Sequence, residues 1–316
     1  MRVVFFGTPD LAVPALQAVS ASHEVTAVVC QPDRPQGRSG KPAPPPVKQW
    51  AVAHGINFVQ PSRLNDGSFE EWLRGQDPDV CVLVAYGRML KQPLLDVPRH
   101  GFLNMHPSLL PRHRGPSPIQ SAILCGNEKT GVTIIRLDAG MDTGDILLQE
   151  CTPIGPDENA VELSDRLAAM GARMMVQALG LLASGQAIFT PQDHARATVT
   201  RMLEKADGQI QWAQPAAAIH NLVRAALPWP VAHCRFKGEI CRILRTHWQR
   251  EENLPSPLPV PGTIVRVERD RVIVACGNGA IAILEIQMPG KKPMKMDAFM
   301  RGRPVNIGDR FEDLPA

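Results

Sequence analysis

Residues 1–30 read MRVVFFGTPDLAVPALQAVSASHEVTAVVC, and the order of apolar and turn-forming residues in them decides the fold class. Residues 3–6 are an unbroken apolar run of strand length, residues 7–10 make a turn, a helical pattern runs through Ala18, and residues 24–30 are a second, valine-rich run. Strands that are nearly all apolar need cover on both faces, which is the situation of a parallel strand with helices on either side. The same alternation continues outward, with a helix over 46–54, a strand over 56–59, a helix over 67–75 and an apolar run over 80–86. It predicts an α/β domain built on a mostly parallel sheet with helices on both faces.

Further along, residues 102–105 and 132–137 read as strands, residues 146–151 as a strand able to pair with the second of these, and residues 161–182 as a helix with an apolar stripe. The segment 101–115, GFLNMHPSLLPRHRG, carries the chemistry. Residues two apart on a strand share a face, so Asn104 and His106 project together and Met105 turns away. The sequence DAGMDTGD at 138–145 places Asp142 close to glycines that let the backbone approach a ligand. An imidazole suits proton transfer near neutral pH, a carboxylate fixes its tautomer, and a neutral amide is a good donor to an oxygen gaining charge. Acyl transfer to an amine brought by the substrate fits this set without an activated Ser or Cys. Taken alone, an Asn-x-His pair is better read as a strand end followed by a capped turn.

From residue 184 the composition changes. Residues 190–207 are polar and without period, which reads as a linker between a first domain at 1–189 and a second at 208–316. The second domain begins with a helix over 215–226 and an extended Pro-Trp-Pro turn at 228–230. Short strands follow over 233–236, 240–246, 262–268, 271–275 and 280–288, with the turn Gly277, Asn278, Gly279. Closely spaced short strands predict a small β-barrel, OB-like in kind. Residues 208–316 hold 15 Lys/Arg against 10 Asp/Glu, whereas residues 1–207 hold 19 against 21. A basic barrel is a platform for nucleic-acid phosphates, although charge alone leaves an ordinary solvated surface equally open. The seven cysteines are scattered and never spaced as CxxC, which argues against a disulfide framework or a zinc knuckle, and several sit in apolar runs, such as Cys81, where a free thiol is a small core residue. No metal is expected. No run approaches the roughly 18 to 20 apolar residues of a membrane span, and the amino terminus enters a strand without a leader, so a cytoplasmic protein with no membrane partner is expected.

Two separated motifs, NMHPSLLPRHRG and GVTIIRLDAGMDTGDIL, match in order and spacing the signature that this chain shares with the folate-dependent formyltransferases, which it resembles. That resemblance implies a Rossmann-like catalytic domain and a catalytic set of Asn104, His106 and Asp142. It also implies that Ser108, Leu109, Leu110 and Pro111 form a turn contacting the co-substrate 10-formyltetrahydrofolate. The start VVFFGTPDLAVPAL and the loop CQPDRPQGRSGKPAPPPVK at 30–48 are similar to the branch of that family acting on initiator methionyl-tRNA. In that loop Arg34, Arg38 and Lys41 are interleaved with glycines and prolines, giving a flexible tip on stiff arms suited to nucleic-acid contacts. Arg38 matches the family's key arginine. Free in solution, the loop is equally a solvated segment that orders on tRNA. The implied activity is direct attack of the methionyl α-amine on the formyl carbon, by a chain expected to act as a monomer.

Some positions depart from the pattern. Pro107 follows His106 where glycine also occurs, residues 199–201 stand where Tyr-Ala-x-Lys is common, and Gln211 stands where an acid is usual. A nicotinamide-dependent oxidoreductase shares the amino-terminal alternation, but residues 7–10 are not GxGxxG. A non-catalytic nucleic-acid module accounts for the basic barrel and arginine loop but leaves the Asn, His and Asp without a task.

Overall fold

The computed structural model describes residues 1–35, 40, 42–64, 67–248, 256–257 and 259–314, and the chain divides into two compact units. The first comprises Met1–Pro118, Thr130–Thr152 and Ser164–Arg201; the second comprises Ile119–Lys129, Pro153–Leu163 and Met202–Ala316.

In chain order the first part of the sequence forms β1 (Arg2–Gly7), α1 (Val13–Ser22), β2 (Glu24–Val29), a two-residue pair β3 (Arg34–Pro35) and β4 (Pro42–Ala43), α2 (Pro46–Ala53), β5 (Phe58–Val59), α3 (Ser68–Gly75), β6 (Val80–Val84), α4 (Gln92–Leu95), β7 (Phe102–His106), α5 (Pro118–Leu124), β8 (Lys129–Arg136), β9 (Ile146–Pro153) and α6 (Ala160–Ala183). A seven-stranded sheet runs β5-β2-β1-β6-β7-β8-β9. The pairs β2–β5, β1–β2, β1–β6 and β6–β7 are parallel, and β8 lies antiparallel to β7. Apolar runs at β1, β6 and β7 explain the centre of this sheet: every residue of β6 and β7 is buried. Val4 and Phe6 join Phe69 and Leu73 of α3 and Leu94 and Leu95 of α4 in one cluster, while Val3 and Phe5 are equally buried on the opposite face of the strand. Phe6 meets Tyr86 and Phe102 edge to face at centroid distances of 5.4 and 5.2 Å, and burying one such ring contributes about 1.5–3 kcal/mol. Met105 packs on α6, where a side chain at Gly171 would collide with its thioether. That contact leaves the other face of β7 to Asn104 and His106.

The second unit contains α7 (Ala216–Ala225), β10 (His233–Phe236), β11 (Glu239–His247), β12 (Ile264–Val267), β13 (Val272–Ala275), β14 (Ala280–Gln287), β15 (Met294–Lys295), α8 (Met296–Gly302) and β16 (Phe311–Glu312). Its antiparallel sheet runs β12-β13-β14-β11-β10-β16, with β15 added beside β14. A bridge between Thr263 and Arg310 joins the two ends of that order and closes the barrel. Gly262, at φ 91°, permits the closure, because a Cβ there would fall against the carbonyl of Phe311. Ala216, Ile219 and Val223 recur at helical spacing on α7 and enter the barrel core with Trp212, Phe236, Phe299 and Phe311. The turn at 277–279 closes the β13–β14 hairpin with Gly279 at φ 80°. The strands β15 and β16 and helix α8 are additions to the sequence reading; two-residue strands are too short to show a period.

Among the described residues, no helix is long and apolar enough to cross a membrane.

Candidate active site

Asn104 and His106 occupy the last rungs of the β7 ladder, paired across to Ile135 and Thr133 of β8, and both are buried at 5% exposure. Asp142 arrives on the loop between β8 and β9. Its Oδ1 is 3.5 Å from Asn104 Nδ2 and its Oδ2 is 3.5 Å from His106 Nδ1. The carboxylate is anchored by the Gly115 amide, which donates to Oδ2 at 2.7 Å. His106 Nε2 lies 2.9 Å from the His113 carbonyl; a carbonyl only accepts, so Nε2 carries a proton and Nδ1 is the nitrogen turned to Asp142. An amide donor, an imidazole edge and a carboxylate therefore converge on one small volume. That set can bind an oxygen gaining negative charge and pass a proton.

The turn after β7 is held from within and from β8 and β9. Ser108 is fully buried and its hydroxyl donates to the Arg112 carbonyl at 2.7 Å. Thr133 Oγ1 donates to the Ser108 carbonyl at 2.7 Å and accepts from the Leu110 amide at 3.2 Å and from Gln149 Nε2 at 2.9 Å. Gln149 Nε2 also reaches the Leu110 carbonyl at 2.9 Å. Leu110 is buried, whereas Leu109 and Pro111 are partly exposed. The turn is a rigid shelf that presents apolar surface through Leu109 and Pro111.

The first part of the polar stretch read as a linker is woven into this site. Thr200 donates from its amide and its hydroxyl to the Arg114 carbonyl at 2.7 and 3.0 Å, and its Oγ1 accepts from the Ser117 amide. A side chain at Gly115, at φ 98°, would meet the Thr200 carbonyl. Gln192 donates to the carbonyls of Asp142 and Gly144 and accepts from Arg114. The sequence does not single out Thr133, Gln149, Gln192 or Thr200. Their partners lie 16 to 86 residues away, so no local spacing signals them.

At the base of the arginine-containing loop, Lys48 Nζ contacts both oxygens of Asp33 at 2.8 and 2.9 Å, and Gln60 donates to the same carboxylate. These hydrogen bonds, from Lys48 first and Gln60 next, hold the Asp33 carboxyl below its usual range. Arg34 is exposed in β3, paired with β4. Arg38 and Lys41 lie outside the described residues.

Cys30, Cys81, Cys234, Cys241 and Cys276 are buried and Cys125 and Cys151 exposed. Burial pushes the thiol of Cys30 up to about 11 and that of Cys276 to about 12, values that suit inert core residues. Among the described residues, no group of three His, Cys, Asp or Glu side chains is placed to hold a metal ion.

The formyl transferase domain model matches residues 1–179 and the formyl transferase C-terminal domain model matches residues 202–304. The chain is 45% identical over 312 residues to the methionyl-tRNA formyltransferase of Solibacter usitatus (strain Ellin6076) and 44% identical over 310 residues to that of Moorella thermoacetica, covering 98% of each chain in both cases. Among solved structures it is similar to the N-formyltransferase of Helicobacter canadensis in complex with folinic acid and dTDP-3-aminofucose. That likeness has a TM-score of 0.67 at 17% identity, covers 90% of this chain and 98% of the other, and concerns the fold. With both domain models matched in order, and identity sustained along almost the whole of both relatives, the chain belongs to the methionyl-tRNA formyltransferase family.

Proposed function

We propose that this protein transfers the formyl group of 10-formyltetrahydrofolate to the α-amino group of methionine esterified to initiator tRNA, and that Asn104, His106 and Asp142 carry the step. The observation behind the residue roles is the convergence of all three polar groups at the carboxyl end of β7, with Asp142 oxygens 3.5 Å from both partners. Asn104 Nδ2 donates toward the oxygen that becomes negative when the amine adds to the formyl carbon, and His106, whose Nε2–H is given to the His113 carbonyl, turns its Nδ1 edge to the same volume as Asp142. Asp142 keeps the His106 ring oriented, with its Oδ2 turned to Nδ1 at 3.5 Å. The proton lost by the attacking nitrogen is the one the departing folate nitrogen needs, and His106 with Asp142 relays it.

The shelf of Ser108, Leu109, Leu110 and Pro111 is the folate-facing turn. In this reading Leu109 and Pro111 offer apolar contact, while Ser108 and Leu110, both buried, keep the shelf in shape. Residues 1–189 form the catalytic domain, residues 190–207 the connection, whose first part lends Gln192 and Thr200 to the catalytic site, and residues 208–316 the basic barrel that binds tRNA together with Arg34, Arg38 and Lys41. The surplus of Lys/Arg over Asp/Glu in 208–316 supports that assignment. The protein acts as a cytoplasmic monomer.

A formyl-transfer assay with 10-formyltetrahydrofolate and three acceptors tests this: charged initiator tRNA, elongator methionyl-tRNA and glycinamide ribonucleotide. Product on initiator tRNA alone is the expected result. Formylation of glycinamide ribonucleotide, or of neither tRNA, overturns the reading.

A further inference from the structure

Gln192 joins the two loops that bring Asp142 to β7. Its Nε2 donates to the Asp142 carbonyl at 2.9 Å and to the Gly144 carbonyl at 2.7 Å. Its Oε1 accepts from Arg114 Nη2 at 2.6 Å and Nε at 3.1 Å. Both residues are 6% exposed. A guanidinium only donates, so it fixes which end of the amide is oxygen and turns the NH2 group toward the two carbonyls.

That support falls on a strained residue. Asp142 has φ 53°, in the left-handed region that favours glycine, and such a conformation persists only where surrounding contacts over-determine it. The main chain of Asp142 is held by Gln192 and its carboxylate by the amide of Gly115, the residue next to Arg114. Both restraints therefore lead back to residues 114–115. The contacts they protect, 3.5 Å to Asn104 and 3.5 Å to His106, are already at the outer limit for hydrogen bonding. A displacement of Asp142 by a few tenths of an ångström removes them.

We infer that Gln192 is a positioning residue for formyl transfer: its amide, aligned by Arg114, holds the backbone of Asp142 so that the carboxylate stays within reach of Asn104 and His106. This role rests on the formyl-transfer reading of the site. Two substitutions separate positioning from simple structural support. Gln192→Glu keeps an oxygen for Arg114 but loses both N–H donors and sets a carboxylate against two carbonyls. Gln192→Leu loses the Arg114 contact as well.

For Gln192→Glu, which keeps the Arg114 contact, the expected result is a kcat lower by about 10- to 100-fold when measured well below the variant's own melting transition, the scale on which small misplacements act in active sites. The KM for 10-formyltetrahydrofolate and for methionyl-tRNA should change by less than about 3-fold, so that the loss falls on kcat. Gln192→Leu should lose kcat to a similar extent and melt lower. In an Asp142→Asn background, adding Gln192→Glu should cost less than about 2-fold more, since residues acting through one group are not additive. A Gln192→Glu enzyme with wild-type kcat overturns the inference, as does a full multiplicative loss in the double variant. Wild-type protein that transfers no formyl group to methionyl-tRNA fails earlier and overturns the functional reading itself.

Discussion

At the end of β7 the first unit buries Asn104, His106, Arg114, Gln192 and Thr200 within one lattice of hydrogen bonds. The core of the second unit is instead apolar, with Phe236 stacked on Phe311 at a centroid distance of 4.4 Å and packed near Phe299 and Trp212. These regions respond to perturbation by different physics. A hydrogen-bonded site tolerates little change in angle or distance but contributes modestly to net stability, because each bond replaces one to water. An aromatic core tolerates small shifts, yet every deleted ring leaves a cavity whose cost falls on folding. Chemistry and stability are thus carried by separable sets of residues.

Asp142→Asn breaks the comparison at its most sensitive point. The substitution keeps the shape and an acceptor for the Gly115 amide but removes the charge facing His106. Turnover in the formyl-transfer assay should fall by roughly 10²- to 10⁴-fold, as for loss of a general acid–base partner, with the melting temperature almost unchanged. Near wild-type kcat would sink the role given to Asp142.

Phe236→Ala probes the opposite side. Phe236 is fully buried, and its truncation should destabilise the protein by about 3–5 kcal/mol in denaturant titration. Well below the transition, kcat of the folded fraction should remain near that of the wild type. A loss of kcat comparable to that of Asp142→Asn would show that the barrel core and the site are one energetic unit.

The same contrast decides what is legible in the sequence. Strands β1, β6 and β14 are visible because buried strands write themselves as apolar runs, and α7 because Ala216, Ile219 and Val223 keep a helical period. Asn104 and His106 are visible because strand geometry alone puts residues two apart on one face. Gln192 and Thr200 sit in a polar stretch with no period, and nothing local distinguishes a polar residue that is solvated from one buried against a loop 78 to 86 positions earlier. Thr200 even falls among the departures from the family pattern, yet it anchors the loop that supplies Gly115 to Asp142. The residues that set distances in the site are legible only once the chain has been folded back on itself.

A smaller effect tests whether polar groups in the second unit are as dispensable for its stability as its aromatic core suggests. His220 on α7 is 3% exposed; its Nε2 lies 2.9 Å from the Pro156 carbonyl and its Nδ1 2.9 Å from Thr246 Oγ1. The carbonyl requires a proton on Nε2, so in the neutral ring Nδ1 accepts from the Thr246 hydroxyl. Burial pushes the His220 pKa below its ordinary value; the Pro156 carbonyl opposes that shift, Arg224 adds to it, Asp157 opposes it and His247 adds a little. Above the ordinary histidine value, roughly 6.5, the ring is neutral in both folded and unfolded chains and stability does not depend on it. As pH falls below that value the unfolded chain takes up the proton first, so stability declines, and the decline levels off only below the folded-state pKa. His220→Gln offers an N–H donor and an oxygen but does not titrate. Denaturant titrations between pH 7.5 and 5 should therefore show a shallower acid loss for His220→Gln than for the wild type, by less than the cost of Phe236→Ala. Parallel curves across that window would mean that His220 carries no proton-linked stability, and that the second unit owes its acid response to other groups.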